Sequence, residues 1–296
     1  MCWNVTACGV QATVRHVAPA VRRGALSGAV ELAAASDRAL VVVGTDDDWE
    51  TESEDRATMQ LPGRQDDLIS AIAAVNPNTV VVVNAGSPVT MPWRNEVSAI
   101  LYIWFPGGAL GDALCDVVFG ETDPGGRLPV TFPVSLNDTP AAPHYPGVNG
   151  VMRYGEGRQI GYRWYRATSA SPQFWFGHGL SYTSFEVGDV SVTGDLRDGV
   201  TVSMSITNVG SRAGVHVAQL FTAFDGDHPE MSDDVRFVGS IKVDLAPHET
   251  RRASIELDAR RFSSWLSDRW EIPHGDHVIE LGRSAGDVVE IGRLTI

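Results

Sequence analysis

The chain is 296 residues long and 43% hydrophobic, enough for one large domain or two ordinary ones, each with its own core. A net charge of −14, a single lysine (Lys242) and scattered arginines exclude a nucleic-acid partner, because phosphate contacts need clustered basic residues. Cys2, Cys8 and Cys115 include no CxxC and cannot all pair, which argues against a disulfide framework or a structural zinc site.

Reduced thiols, and an opening MCWNVTACGV with neither a basic nor an apolar signal region, predict a cytoplasmic protein. No apolar run is long enough to span a membrane, so no membrane partner is expected. The opening also does not read like the start of a domain.

Along the first half, strand and helix patterns alternate. Residues 25–36, ALSGAVELAAAS, carry apolar residues at helical spacing. ALVVVG (39–44) is a continuous apolar run, as expected of a strand covered on both faces. A helix follows over 63–76, with Leu68, Ile69, Ile72 and Val75 on one face. Strands are predicted at 79–86 and 99–105, and a helix at 106–120 that opens on Pro-Gly-Gly and stops at Gly120. Before residue 39 the sequence offers one helix and little else. This order predicts an α/β fold, a mostly parallel sheet covered by helices.

Residues 121–185 change character. They are rich in Pro, Gly and aromatics, and no helical or strand period persists. They read as a long ordered wrap across the first domain, held by Tyr and Trp, and such stretches are often functional. From 186 to 296 apolar and polar residues alternate, with turn residues about every ten positions, which predicts an antiparallel β-sandwich of about seven strands. LAPHET (245–250) reads as a hairpin-type connection. The expected organisation is therefore an α/β domain over 1–185, incomplete at its start, and a β-sandwich over 186–296.

One loop stands out chemically. DDDWETESEDR (46–56) has seven acidic residues in eleven and follows directly on the strand ALVVVG. In open α/β sheets ligands bind outside the carboxyl ends of strands. Crowded carboxylates raise one another's pKa, and a nearby Trp excludes water and adds to the effect. A carboxyl held protonated near neutral pH is a general acid, the group glycoside hydrolysis requires beside the leaving oxygen. Two other readings stand beside this one. An acidic loop can be a solvated face. Asp46, Asp48, Glu50, Glu52 and Glu54 alternate as calcium ligands do, but no Gly sits where an EF-hand loop turns.

WETESEDRATMQLPGRQDDLI resembles the WExEGxDRxxxxLPxxQxxLI stretch of glycoside hydrolase family 3, the β-glucosidase family. NPNTVVVVNAGSPVTMPW, WFPGGALGDALCDVVFGETDPGGRLPVTFP, YGEGRQIGYRWY and FGHGLSYTSF follow in the same order. The tail looks like the fibronectin type III-like domain that often ends these enzymes. The resemblance implies a retaining exo-β-glycosidase acting on an oligosaccharide or β-glucoside, with no metal and no organic cofactor. By its motif, Glu52 falls at the acid/base position. Glu50 is the alternative and a substrate-binding candidate, and Trp49 lines the sugar site. Asp55 and Arg56 match a pair read as loop-fixing. Ser53 stands where the family usually has Gly, a position of strain if the backbone there takes positive φ. Glu54 adds a carboxylate, and Pro106-Gly107-Gly108-Ala109 replaces PGQE. The family's Asp nucleophile belongs to a (β/α)8 barrel that this sequence does not contain, so a barrel partner in cis or trans is expected. The alternative is a non-catalytic carbohydrate- or partner-binding remnant of such an enzyme.

Other residues invite weaker readings. His178 in FGHGLSY fits no GxSxG pattern and is expected to be structural. Cys115 sits on a helix's apolar face and is expected in the core. Gly107 and Gly108 lack the Lys of a phosphate loop. The Tyr and Trp residues at 145–176 either stack on sugar rings or anchor the wrap.

Overall fold

The computed structural model describes residues 2–7, 10–15, 25–226, 235–266 and 268–296. They form two compact units: Met1–Val118 with Pro133–Leu136, and Phe119–Phe132 with Asn137–Ile296.

The first unit begins with an antiparallel pair, β1 (Cys2–Ala7) and β2 (Val10–Arg15), registered from Cys2↔Arg15 to Ala7↔Val10. This hairpin was not expected, since only one helix was read before residue 39. Two six-residue strands are too short for their alternation to stand out. Next come α1 (Ala25–Ala34), β3 (Ala39–Gly44), α2 (Gln65–Ala73), β4 (Thr79–Asn84), β5 (Ala99–Tyr102) and α3 (Leu110–Phe119). β3, β4 and β5 make a parallel sheet in that order, with Ala39 opposite Thr79 and Val80 opposite Ala99. The βαβ pattern read from the sequence is thus present, with β3 at its expected bounds and the other element ends at most four residues inside the expected ones.

Burial differs across this sheet. Val81, Val82 and Val83 of central β4 are fully buried. On β3, Val41 and Val43 are buried but Leu40 and Val42 are 49% and 54% exposed. The expectation that β3 is covered on both faces therefore fails. α2 packs on β3 and β4, and the other side of β3 lies open. Cys115 is likewise only partly buried, because α3 has no fully buried residue.

Polar side chains fix the ends of these elements. Gln65, at the start of α2, accepts from the Gly44 amide at 2.8 Å and donates to the Gly44 carbonyl at 2.9 Å. It thereby pins the end of β3, where the acidic loop begins. Asn76 donates to the carbonyls of Ala33 and Ser36, both at 2.9 Å, and ties α1 to the loop after α2. Buried Trp93 donates through its indole N–H to Asp66 Oδ1 at 2.7 Å.

In the second unit, residues 119–132 and 137–184 are mostly irregular, but they contain α4 (Tyr162–Thr168). Seven residues cannot carry a recognisable period, so this helix was not expected. The segment is tied to the sandwich that follows. Arg166 makes a bidentate pair with Glu280, both contacts 2.7 Å. The Tyr162 hydroxyl accepts from the Phe237 amide, and the Gln219 side chain donates to the Gly177 carbonyl. Tyr165 donates to the Asp138 carbonyl at 2.6 Å. Asp123 accepts from Ser181 Oγ and from the amides of Tyr182 and Val215. His178 stacks on Phe174, a packing role. Tyr162, Tyr165 and Trp175 serve as anchors, whereas Tyr154 is 79% exposed.

The sandwich has strands β6 (Phe185–Asp195), β7 (Gly199–Asn208), β8 (Gly214–Asp225), β9 (Val235–Leu245) and β10 (Thr250–Leu257). A small hairpin of β11 (Ser264–Leu266) and β12 (Arg269–Glu271) follows, then β13 (Asp276–Ser284) and β14 (Asp287–Thr295). The two sheets have orders β10-β7-β6 and β14-β13-β8-β9. Strict alternation on β7 turns Val200, Val202, Met204 and Ile206 inward against Leu220, Ile279 and Leu281, as period-two patterning requires. The connection LAPHET is not a hairpin. β10 pairs with β7, Thr250 opposite Thr207, so the chain crosses from one sheet to the other at residues 246–249.

Candidate active site

The acidic loop leaves the carboxyl end of β3. Its first turn is closed by the amides of Trp49 and Glu50, both donating to the Asp46 carbonyl at 2.9 Å. Glu50 then turns inward. Its carboxylate accepts from Thr45 Oγ1 at 2.5 Å, from the Gly86 amide at 3.1 Å and from Ser87 Oγ at 3.0 Å. Arg56 lies 3.6 Å away as its counter-ion, with both side chains under 20% exposed. A carboxylate this fully engaged is an anchor that holds the loop to the segment after β4.

Arg56 completes the anchor. Its guanidinium donates to Ser87 Oγ at 2.6 Å and to the Pro88 carbonyl at 3.1 Å. The loop-fixing role expected of Arg56 is thus visible in its partners. Tyr102, at the end of β5, donates to the Ser87 carbonyl at 2.6 Å. Burial, reinforced by the Glu50 charge, pushes the Tyr102 phenol far above its ordinary range, so it stays a neutral donor.

Gly86 cannot be replaced at no cost. A Cβ there would sit 2.6 Å from the Phe105 ring and 2.7 Å from Glu50 Oε2. Thr45, Gly86 and Ser87 were not singled out in the sequence. The only local signal was the run NAGS directly after a strand, where α/β sheets place ligand-binding loops.

The other loop residues face outward. Glu52, Glu54 and Asp55 are exposed, and with Trp49, Glu50 and Arg56 they border a hollow of about 470 Å³. The Trp49 indole N–H is buried and has no acceptor among the described residues. The three residues expected at the site are therefore together, but differently employed: Glu50 inward, Glu52 outward, Trp49 at the wall. Among the described residues, no group of three or more His, Cys, Asp or Glu side chains is arranged to hold a metal ion.

Ser53, next to Glu52, has φ 71°, the left-handed conformation that favours Gly. Ser53→Gly is expected to stabilise the first unit by about 0.5–1 kcal/mol, read as a raised denaturation midpoint. A lowered midpoint would show that the Ser side chain contributes more than its backbone strain costs.

Comparison with known proteins places these features in a family. Residues 5–182 match the model of the glycosyl hydrolase family 3 C-terminal domain, and residues 216–285 match a fibronectin type III-like domain. Beta-glucosidase B of Emericella nidulans is 40% identical over 289 residues, 91% of this chain and 34% of that protein. Thermostable beta-glucosidase B of Acetivibrio thermocellus is 40% identical over 269 residues, 89% of this chain and 36% of that protein. The crystal structure of DesR, a beta-glucosidase from Streptomyces venezuelae in complex with D-glucose, superposes with a TM-score of 0.87 at 36% identity, covering 92% of this chain and 35% of DesR. The chain spans about a third of the length of the relatives it matches.

Proposed function

The chain belongs to glycosyl hydrolase family 3, and on that premise we propose that it carries the acid/base carboxylate of a retaining exo-β-glycosidase. The substrate class is terminal, non-reducing β-linked sugars, as in β-glucosides. Glu52 is the acid/base. The observation that carries this reading is the division of labour in the loop. Glu50 spends its oxygens on four protein groups, while Glu52 presents its carboxyl to the same hollow from the exposed side.

In this mechanism the Glu52 carboxyl protonates the glycosidic oxygen as the C–O bond breaks and an Asp on a barrel domain bonds to the sugar. The resulting Glu52 carboxylate then removes a proton from the water that releases the sugar, which returns Glu52 to its acid form. The barrel is supplied in cis or in trans. Trp49 shields the site from water on one side.

The test uses a polypeptide that includes the barrel. Glu52→Ala with added azide is expected to give a β-glycosyl azide, because a small anion can attack the glycosyl-enzyme without a general base. Glu50→Gln, which removes an anchor and not a proton donor, is expected to give none. Azide product from the Glu50 variant alone would transfer the role to Glu50. Its absence from both would remove the acid/base assignment from this loop.

A further inference from the structure

The second unit contains a concentration of positive charge that the glycosidase reading does not use. Arg163 of α4, Arg236 of β9, and Arg260 and Arg261 of the turn Ala259–Arg261 line one hollow of about 370 Å³, together with Trp270 of β12. That is four of the chain's 23 basic residues at one place on a protein of net charge −14. The volume lies in the range of small-molecule sites.

Guanidiniums gathered this way repel one another, and a fold normally interleaves carboxylates to offset the cost. Among the described residues the wall offers one carboxylate, Asp258, whose Oδ1 is already used to accept from the Arg261 amide and cap the turn. Arg163, Arg260 and Arg261 make no ion pair among the described residues. The Arg236 guanidinium is set in place by donating to the Ser263 carbonyl and Ser264 Oγ. The Arg260 guanidinium lies over the Trp270 ring, which orients it and leaves its N–H edge for an acceptor.

From this geometry we infer that the hollow is a binding site for a small ligand bearing a carboxylate or phosphate group. Planar guanidinium forks match both oxoanions in bidentate fashion. A single hollow of this size does not suit a polyanion, which needs a basic track and would be repelled by the rest of the surface.

The full chain would be titrated with inorganic phosphate, glucuronate, glucose 6-phosphate and glucose, by calorimetry and by tryptophan fluorescence. Saturable binding of the anions and none of glucose is expected. Equal affinity for phosphate and glucose 6-phosphate assigns recognition to the anion alone, and tighter binding of glucuronate or glucose 6-phosphate adds the sugar ring. Trp270→Phe is expected to abolish the fluorescence change while calorimetric binding persists. Arg163→Gln with Arg261→Gln is expected to weaken binding by more than about tenfold. Exposed Arg260→Gln gives the same reading with little risk to folding, and the melting transition of each variant is compared with that of the parent. Absence of binding by every anion, or unchanged affinity in folded arginine variants, would overturn the site.

Discussion

Replacing Glu52 with Gln, in a polypeptide that includes the barrel, is expected to lower kcat/KM for a β-linked disaccharide by about 10²–10⁴-fold. For a dinitrophenyl β-glucoside the expected fall in kcat/KM is less than about tenfold. The difference follows from the leaving group. A sugar alkoxide is too basic to depart without a proton, whereas a dinitrophenolate needs none. With the activated substrate the slow step becomes hydrolysis of the glycosyl-enzyme, which lacks its general base. kcat and KM should then fall together, and a burst of phenolate should precede the steady state. Equal losses of kcat/KM for both substrates would mean that Glu52 acts through structure and not through proton transfer. The exposed position of Glu52 makes the test clean, since Gln there removes none of the contacts that hold the loop, which belong to Glu50 and Arg56.

The second large effect is on stability in acid. His216 is buried on β8 against Phe185, and burial, with the nearby charges of Arg127 and Arg283, depresses its pKa from 6.5 to about 4. The folded protein thus keeps His216 neutral where the unfolded chain binds a proton. Stability from this group is fully present above pH 6.5 and is lost as pH falls through about 4. A gap of about 2.5 pH units corresponds to roughly 3 kcal/mol lost over that window. His277 and His178, also depressed mainly by burial, act in the same direction. Denaturant unfolding of the β-sandwich between pH 7 and pH 4 is expected to show this decline, and His216→Leu to flatten it. The same acid sensitivity in parent and variant would exclude His216 as its source.

The parts of this fold that were legible in the sequence are those written in local periodicity. The run at β4, the α2 face at Ile69 and Ile72 and the alternation of β7 each carry their burial in nearby residues, although Val75, expected on the same α2 face, lies past the helix end and is exposed. What was not legible depends on partners far away in the chain. The open face of β3 is invisible in ALVVVG, because the run is the same whether one face is covered or two. LAPHET has a turn's composition on either course, and only the pairing of β10 with β7 decides between them. At the candidate site, the motif pointed to the loop and to Glu52. The anchoring of Glu50 lies in hydrogen bonds to Gly86 and Ser87, 36 and 37 positions on, which no spacing rule anticipates. The arginine hollow gathers residues from 163 to 270 and has no sequence signature at all.

The pair Arg166–Glu280 joins positions 114 residues apart, and Phe176 and Gly120 are likewise held by Ala285 and Arg212, far downstream. On the ribosome these partners do not exist when the irregular segment emerges. At about 5–20 residues per second, roughly ten seconds pass between the synthesis of Arg166 and that of Glu280. Contacts from Arg212, Gln219 and Phe237 become available earlier in that interval, and the protection of the aromatic-rich stretch from proteases and chaperones is completed when the last hairpin, β13–β14, closes on it.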